Sequence, residues 1–149
     1  MNSPGAPFPR RDFLISLMGV GSLGALGWLT LPTLPRLLQE ARIALPEWAT
    51  TTPMSAGAYR TAVLRPDLLA GLPCFCGCVT YAPPHRSLLD CFIRPDGGFE
   101  GHAAGCSTCQ DEALAARRWA DQGLAGPEVR RRIVAAFEEL GPSTDSVTS

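Results

Sequence analysis

Lysine is absent from this chain of 149 residues; all 13 basic residues are arginine. We read that as a bias of composition. Against 14 acidic residues the formal net charge is −1, and so even a balance carries no electrostatic signature of a nucleic-acid partner. No Gly-rich phosphate loop occurs and no Ser-His-Asp set is apparent, so the sequence points away from an enzyme. Cysteine and histidine are missing everywhere except residues 74–109. With 15 glycines and 14 prolines, many of them before residue 98, the first half has little scope for regular structure beyond its hydrophobic segment.

What is present begins with an address. "PRRDFLI", Pro9 to Ile15, sets two arginines ahead of a segment that carries no charge from Phe13 to Leu34. A basic region followed by an apolar one is the layout of an export signal. The stretch resembles a twin-arginine (Tat) signal. Arg10 and Arg11 match the arginine pair, and Phe13 and Leu14 match the apolar residues that follow it. Pro9 and Ile15 depart from the usual Ser or Thr and Lys. The 22 residues of 13–34 are also enough to span a hydrocarbon core of ~30 Å, so a retained membrane anchor stands beside a cleaved signal. No cysteine near the end of the run would allow lipoprotein processing. Either way the remainder is expected to be extracytoplasmic. The Tat resemblance implies export of a folded protein, often with its cofactor inserted, and so favours a metal or cofactor further along.

Residues 36–58 show no periodicity and contain Pro46, Pro53 and a Thr run, so they read as an extended linker. Trp48 is placed either near a membrane interface or against the domain. Pro66-Asp67-Leu68-Leu69 reads as one helical turn stopped by Gly71, and "RPDGG", Arg94 to Gly98, as a turn. "RSLLDCFI" is a strand or a helical turn. Ser107 and Gln110 have capping-box spacing, opening a helix to about Gln122 whose apolar face is Ala113, Ala116, Ala120 and Leu124, with Trp119 beside it. Pro127 opens a second helix with Ile133, Phe137 and Leu140 as its buried stripe. Residues 142–149 read as a disordered tail. The expected fold is small and mainly α: a Cys-rich irregular region, 59–141 with its helices, closed by a C-terminal two-helix hairpin.

The six cysteines are Cys74, Cys76, Cys78, Cys91, Cys106 and Cys109, and His85 and His102 share their window. An even count in an oxidising compartment suits disulfides. Yet Cys74, Cys76 and Cys78 alternate, and neighbours at i and i+2 bridge only with strain. The other reading is a thiolate site. Gly77 lets the backbone bend between Cys76 and Cys78, Cys106-x-x-Cys109 adds a pair at a helix start, and Cys109 in the first turn should have a lowered thiol pKa. His102, four residues before Cys106, is the better nitrogen ligand; His85 is the weaker. Asp90 is placed to orient the ligand Cys91. Soft thiolates select Cu(I), Zn(II) or iron–sulfur. Six sulfurs exceed the four of one tetrahedral Zn, which orders the metals as Cu(I), then Zn, then iron–sulfur.

"LPCFCGC", "HRSLLDCFI" and "GHAAGCSTCQDEA" together resemble the PCYCF-motif proteins, a family of exported bacterial proteins and lipoproteins. The resemblance covers roughly Tyr59 to Leu140. It takes in all six cysteines, both histidines and Asp90-Cys91-Phe92, with Phe75 where the motif has Tyr. It implies a shared domain and shared importance for these residues without naming the metal.

The reading is an exported protein that holds soft metal, copper before zinc, for storage, buffering or delivery. Its partners are the ion, a protein that exchanges it, and the membrane through the N-terminal segment. A disulfide-stabilised interaction module is the alternative, and a thiol oxidoreductase acting through Cys106 and Cys109 a third.

Overall fold

The computed structural model describes residues 34–146. The Arg10–Arg11 pair, the apolar segment up to residue 33 and residues 147–149 lie outside the described residues. Among the described residues no helix is long and apolar enough to cross a membrane. The chain divides into two units at residue 42. The first ends in helix α1, Leu34–Ala41.

The second unit is mainly helical, as its sequence leads one to expect, and its described residues hold no strand, only an isolated antiparallel bridge between Ile93 and Phe99. Its helices are α2 (Pro53–Leu64), α3 (Pro66–Ala70), α4 (Ser107–Asp121) and α5 (Gly126–Phe137). Residues 71–106 carry the motif cysteines on loops and three short 3-10 turns, Cys78–Thr80, Leu89–Cys91 and His102–Ala104.

The extended linker expected over 36–58 is not there. Residues 47–50 form a 3-10 turn and α2 begins at Pro53. Thr52 caps α2: its Oγ1 accepts from Ser55 N at 3.0 Å, with Pro53 in the first turn where its missing N–H costs nothing. The helix escapes a periodicity search because it buries small and polar residues, Ser55, Ala56, Ala58, Thr61 and Ala62, around a single large one, Tyr59. Small side chains let α2 pack closely on α4. Tyr59 is wholly buried. Trp48, Phe92 and Phe99 meet its ring edge-on at centroid distances of 5.6, 5.1 and 6.1 Å, an arrangement the ring quadrupoles favour. Its hydroxyl donates to Glu100 O at 2.5 Å. Trp48 thus packs on the domain.

The closing hairpin is α4 against α5. Its boundaries follow the sequence signals, with Pro127 in the first turn of α5 and Gly123 at φ 90° after α4. Three details differ. α4 starts one residue earlier than the capping box requires: Cys106 is the N-cap and gives no side-chain bond. Gln110 faces inward instead, and its Nε2 donates to the carbonyls of Ala103 and Ala104 at 2.7 and 3.1 Å. Leu140 is 60% exposed, because the chain tightens to a 3-10 turn at Glu138 and the α period breaks. Val129 and Ile133 form the buried stripe. Finally, residues 143–146 are ordered against the domain: Thr144 is buried, and Arg130 ties the segment down by donating to Asp145 at 2.5 Å and to the carbonyl of Gly71 at 2.7 Å.

Candidate metal centre

Three pieces of backbone converge on one place: the 74–78 loop, the 3-10 turn ending at Cys91, and the start of α4. Gly77 makes the first piece possible. It sits at φ 81°, the left-handed region that residues with a Cβ rarely enter, and so reverses the chain between Cys76 and Cys78. Cys74, Cys78, Cys91 and Cys109 are fully buried, while Cys76 and Cys106 lie at the rim.

All six cysteines are free. Cys74 Sγ lies 3.7 Å from Cys109 Sγ, and Cys78 Sγ lies 3.6 Å from Cys91 Sγ. A disulfide is about 2.05 Å long; a tetrahedral site with metal–sulfur bonds of about 2.3 Å puts its sulfurs about 3.8 Å apart. The spacing is that of donors around an ion. The donors Cys74, Cys76, Cys78 and Cys91 lie within 4.8 Å of one another, and so do Cys76, Cys91, Cys109 and His102. The cysteine cluster is therefore positioned to bind a metal ion. His102 Nε2 stands 3.3 Å from Cys76 Sγ, and His85 Nδ1 3.4 Å from Cys91 Sγ. Cys106 belongs to neither quartet and lies half-buried at the N-cap of α4.

Electrostatically the cluster favours one thiolate first. Cys76 is held far below the ordinary thiol range because neighbouring thiols, Cys106 foremost and then Cys109 and Cys74, donate to it. The buried thiols are pushed up in return, Cys74 chiefly by Cys109, and Cys91 chiefly by Cys109. Cys109 is also pushed up, its bond with Cys106 being the main cause. This reverses the expectation from its position at a helix start: hydrogen bonding to another sulfur outweighs the dipole of the first turn. Burial and the neighbouring His102 hold His85 below its usual value.

Asp90 does its positioning through the backbone. Its Oδ2 accepts from the amides of Arg86 and Ser87 at 2.7 and 3.1 Å and so fixes the turn between His85 and Cys91. Three further residues escaped the sequence reading. Tyr81 Oη lies 2.5 Å from His102 Nδ1, with the rings edge-on at 4.6 Å. In the tautomer where Nδ1–H donates to Tyr81, the Nε2 lone pair faces Cys76. Glu112 is fully buried. Its Oε1 accepts from Phe75 N at 2.8 Å, its Oε2 has no partner, and burial pushes its carboxyl up to about 7. Glu112 stands one helical turn after Cys109, so the i, i+3 rule places both on one face. Thr144 clasps Cys74 from the C-terminal segment. A cleft of about 480 Å³ opens beside the cluster, lined by Tyr81, Pro83, Pro84, His85, Arg94 and Glu100 among others.

Comparison with curated proteins and with solved structures finds no match. A protein-family model does match, over residues 39–146, and its description is a protein of unknown function with a PCYCGC motif. Pro73 to Cys78 reads PCFCGC, with Phe75 in place of the motif tyrosine. The span begins well before Tyr59 and reaches Thr144, in accord with the helix α2 and the ordered C-terminal segment. The motif is related to the PCYCF motif that the sequence resembles, and the chain belongs to the PCYCGC-motif family.

Proposed function

We propose that this protein is exported through its twin-arginine segment and holds soft metal, Cu(I) in preference to Zn(II), for storage, buffering or delivery. One observation carries the reading. Five thiol sulfurs and an imidazole nitrogen fall into two overlapping quartets, the donors of each lying within 4.8 Å of one another, and no oxygen ligand is among them. Thiolate and imidazole donors suit Cu(I) and Zn(II) and do not suit Mg²⁺ or Ca²⁺. Four of the sulfurs are buried, which shields a bound ion from water, while Cys76 and Cys106 at the rim give it a way out.

The two close sulfur pairs also support a second reading. Cys74–Cys109 and Cys78–Cys91, at 3.7 and 3.6 Å, could close into disulfides after a shift of about 1.6 Å each, giving a braced interaction module. The test is elemental analysis with a free-thiol count on full chain purified without chelator from the compartment where it resides. Bound copper or zinc with six titratable thiols after metal removal is the expected result. No metal and two free thiols, those of Cys76 and Cys106, would establish the disulfide module instead.

A further inference from the structure

Donor geometry goes beyond the presence of a soft metal to its number. The two donor quartets overlap in Cys76 and Cys91 alone. Cys74 and Cys78 belong to the first only, Cys109 and His102 to the second only. One four-coordinate ion would use one quartet and strand the private donors of the other. Two ions use every donor, the private ones once and the shared pair twice, provided that pair bridges. Sulfur of a thiolate has several lone pairs and can bridge two ions, whereas an imidazole nitrogen has one and cannot. Both shared donors are cysteines, and the one imidazole is private.

We infer that the cluster is a two-ion soft-metal centre in which the Cys76 and Cys91 thiolates bridge. Cys74 and Cys78 complete the first ion's set, and Cys109 and His102 complete the second's. This rests on the soft-metal reading above and adds the stoichiometry, the bridging pair and the division of terminal ligands. The backbone supports the division. The first private pair comes from the motif loop and the second from the two elements that meet at α4, the 3-10 turn at His102 and the helix start at Cys109. The second ion is the more exposed, since its His102 lies at the rim beside Tyr81, and is the one placed to exchange. Cys106 is in neither quartet. It stands half-buried at the N-cap of α4, three residues before the second ion's Cys109, so Cys106 is a landing thiol rather than a resident ligand.

The experiment is a titration of the fully reduced full chain with Cu(I), delivered from a weak competing chelator and counted by native mass spectrometry. Wild type is expected to saturate at two ions. His102→Ala should hold one, and Cys106→Ser should still hold two. Circular dichroism on each apo variant checks that it is folded. One ion, or three or more, in the wild type would overturn the two-ion centre and leave the soft-metal reading standing. Two ions retained by His102→Ala, or one by Cys106→Ser, would overturn the division of ligands. No ion in the wild type would overturn the soft-metal reading as well.

Discussion

The backbone amide of Cys74 donates to Thr144 Oγ1, and the amide of Thr144 donates back to the Cys74 carbonyl, both at 3.0 Å. The two residues are separated by 70 positions, so the C-terminal segment closes directly over the motif. Cys74 is the first cysteine of the cluster and its amide is buried; Thr144 satisfies both its polar backbone groups. Thr144→Ala leaves that amide without an acceptor, at a cost of about 1–3 kcal/mol. Urea unfolding of the apo chain should show the midpoint fall with the slope unchanged. Thr144→Ser, which keeps the oxygen, should recover most of the loss. Equal losses in both variants would mean that the methyl group matters and the hydrogen bond does not.

Gly77 offers a cleaner test of the loop itself. It sits at φ 81°, and a Cβ built there meets nothing within 4 Å. Gly77→Ala therefore adds no clash and isolates the cost of the left-handed conformation, about 1–2 kcal/mol. The same relaxation would draw Cys78 away from Cys91, now 3.6 Å apart. We expect lower apo stability together with weaker metal retention against a chelator. Wild-type stability in Gly77→Ala, measured by the same unfolding experiment, would show that the reversal at this residue is not required.

What could be read from the sequence was whatever is local. Pro127 and Gly123 mark the hairpin's ends because a missing N–H and a positive φ are properties of single residues. Cys109 and His102 were legible as candidate ligands for the same reason: their chemistry is carried in the residue type. Gly77 likewise announced its turn. The hidden parts depend on partners distant in sequence. α2 buries alanine, serine and threonine, so its inward face has no apolar stripe, and only the aromatic surroundings of Tyr59 make it part of the core. Thr144 sits in a polar segment that composition reads as tail, and its role exists only because Cys74 is there to meet it. Asp90 and Gln110 were noticed for their spacing, yet each bonds backbone groups that spacing does not indicate.

Tyr81 is exposed, so its hydroxyl can be removed without disturbing the core. It holds His102 Nδ1 at 2.5 Å, and a ligand imidazole whose far nitrogen loses its partner typically loses about 10- to 100-fold in metal affinity. Tyr81→Phe keeps the ring that packs on His102 and removes the hydrogen bond alone. The expected outcome is an affinity for Cu(I) about 10-fold weaker, with the apo unfolding midpoint unmoved and the number of ions per chain unchanged. Competition against a chromogenic Cu(I) chelator measures it. An affinity equal to wild type would show that His102 is oriented by its other contacts, among them the edge-on packing of His85 at 5.5 Å.

The proposed export makes the last prediction, and it bears on how the proposed metal would be acquired. Arg10 and Arg11 open the apolar segment, and a twin-arginine signal is read through its guanidinium pair, planar and multiply hydrogen-bonding where an ammonium is a point charge. Arg10→Lys with Arg11→Lys keeps both charges and removes both guanidiniums. A general export signal, which needs only a basic region before an apolar one, would tolerate the change. A Tat signal would not, and the full chain should then remain on the cytoplasmic side, protected from protease added to the outside of intact cells. Because the Tat route moves folded proteins, the retained double variant should already be folded. Cu(I) bound to it would place loading before export. Equal protease exposure of the double variant and the wild type would rule out the Tat route and move the loading step to the oxidising side, where the cysteines would meet metal and disulfide formation in direct competition.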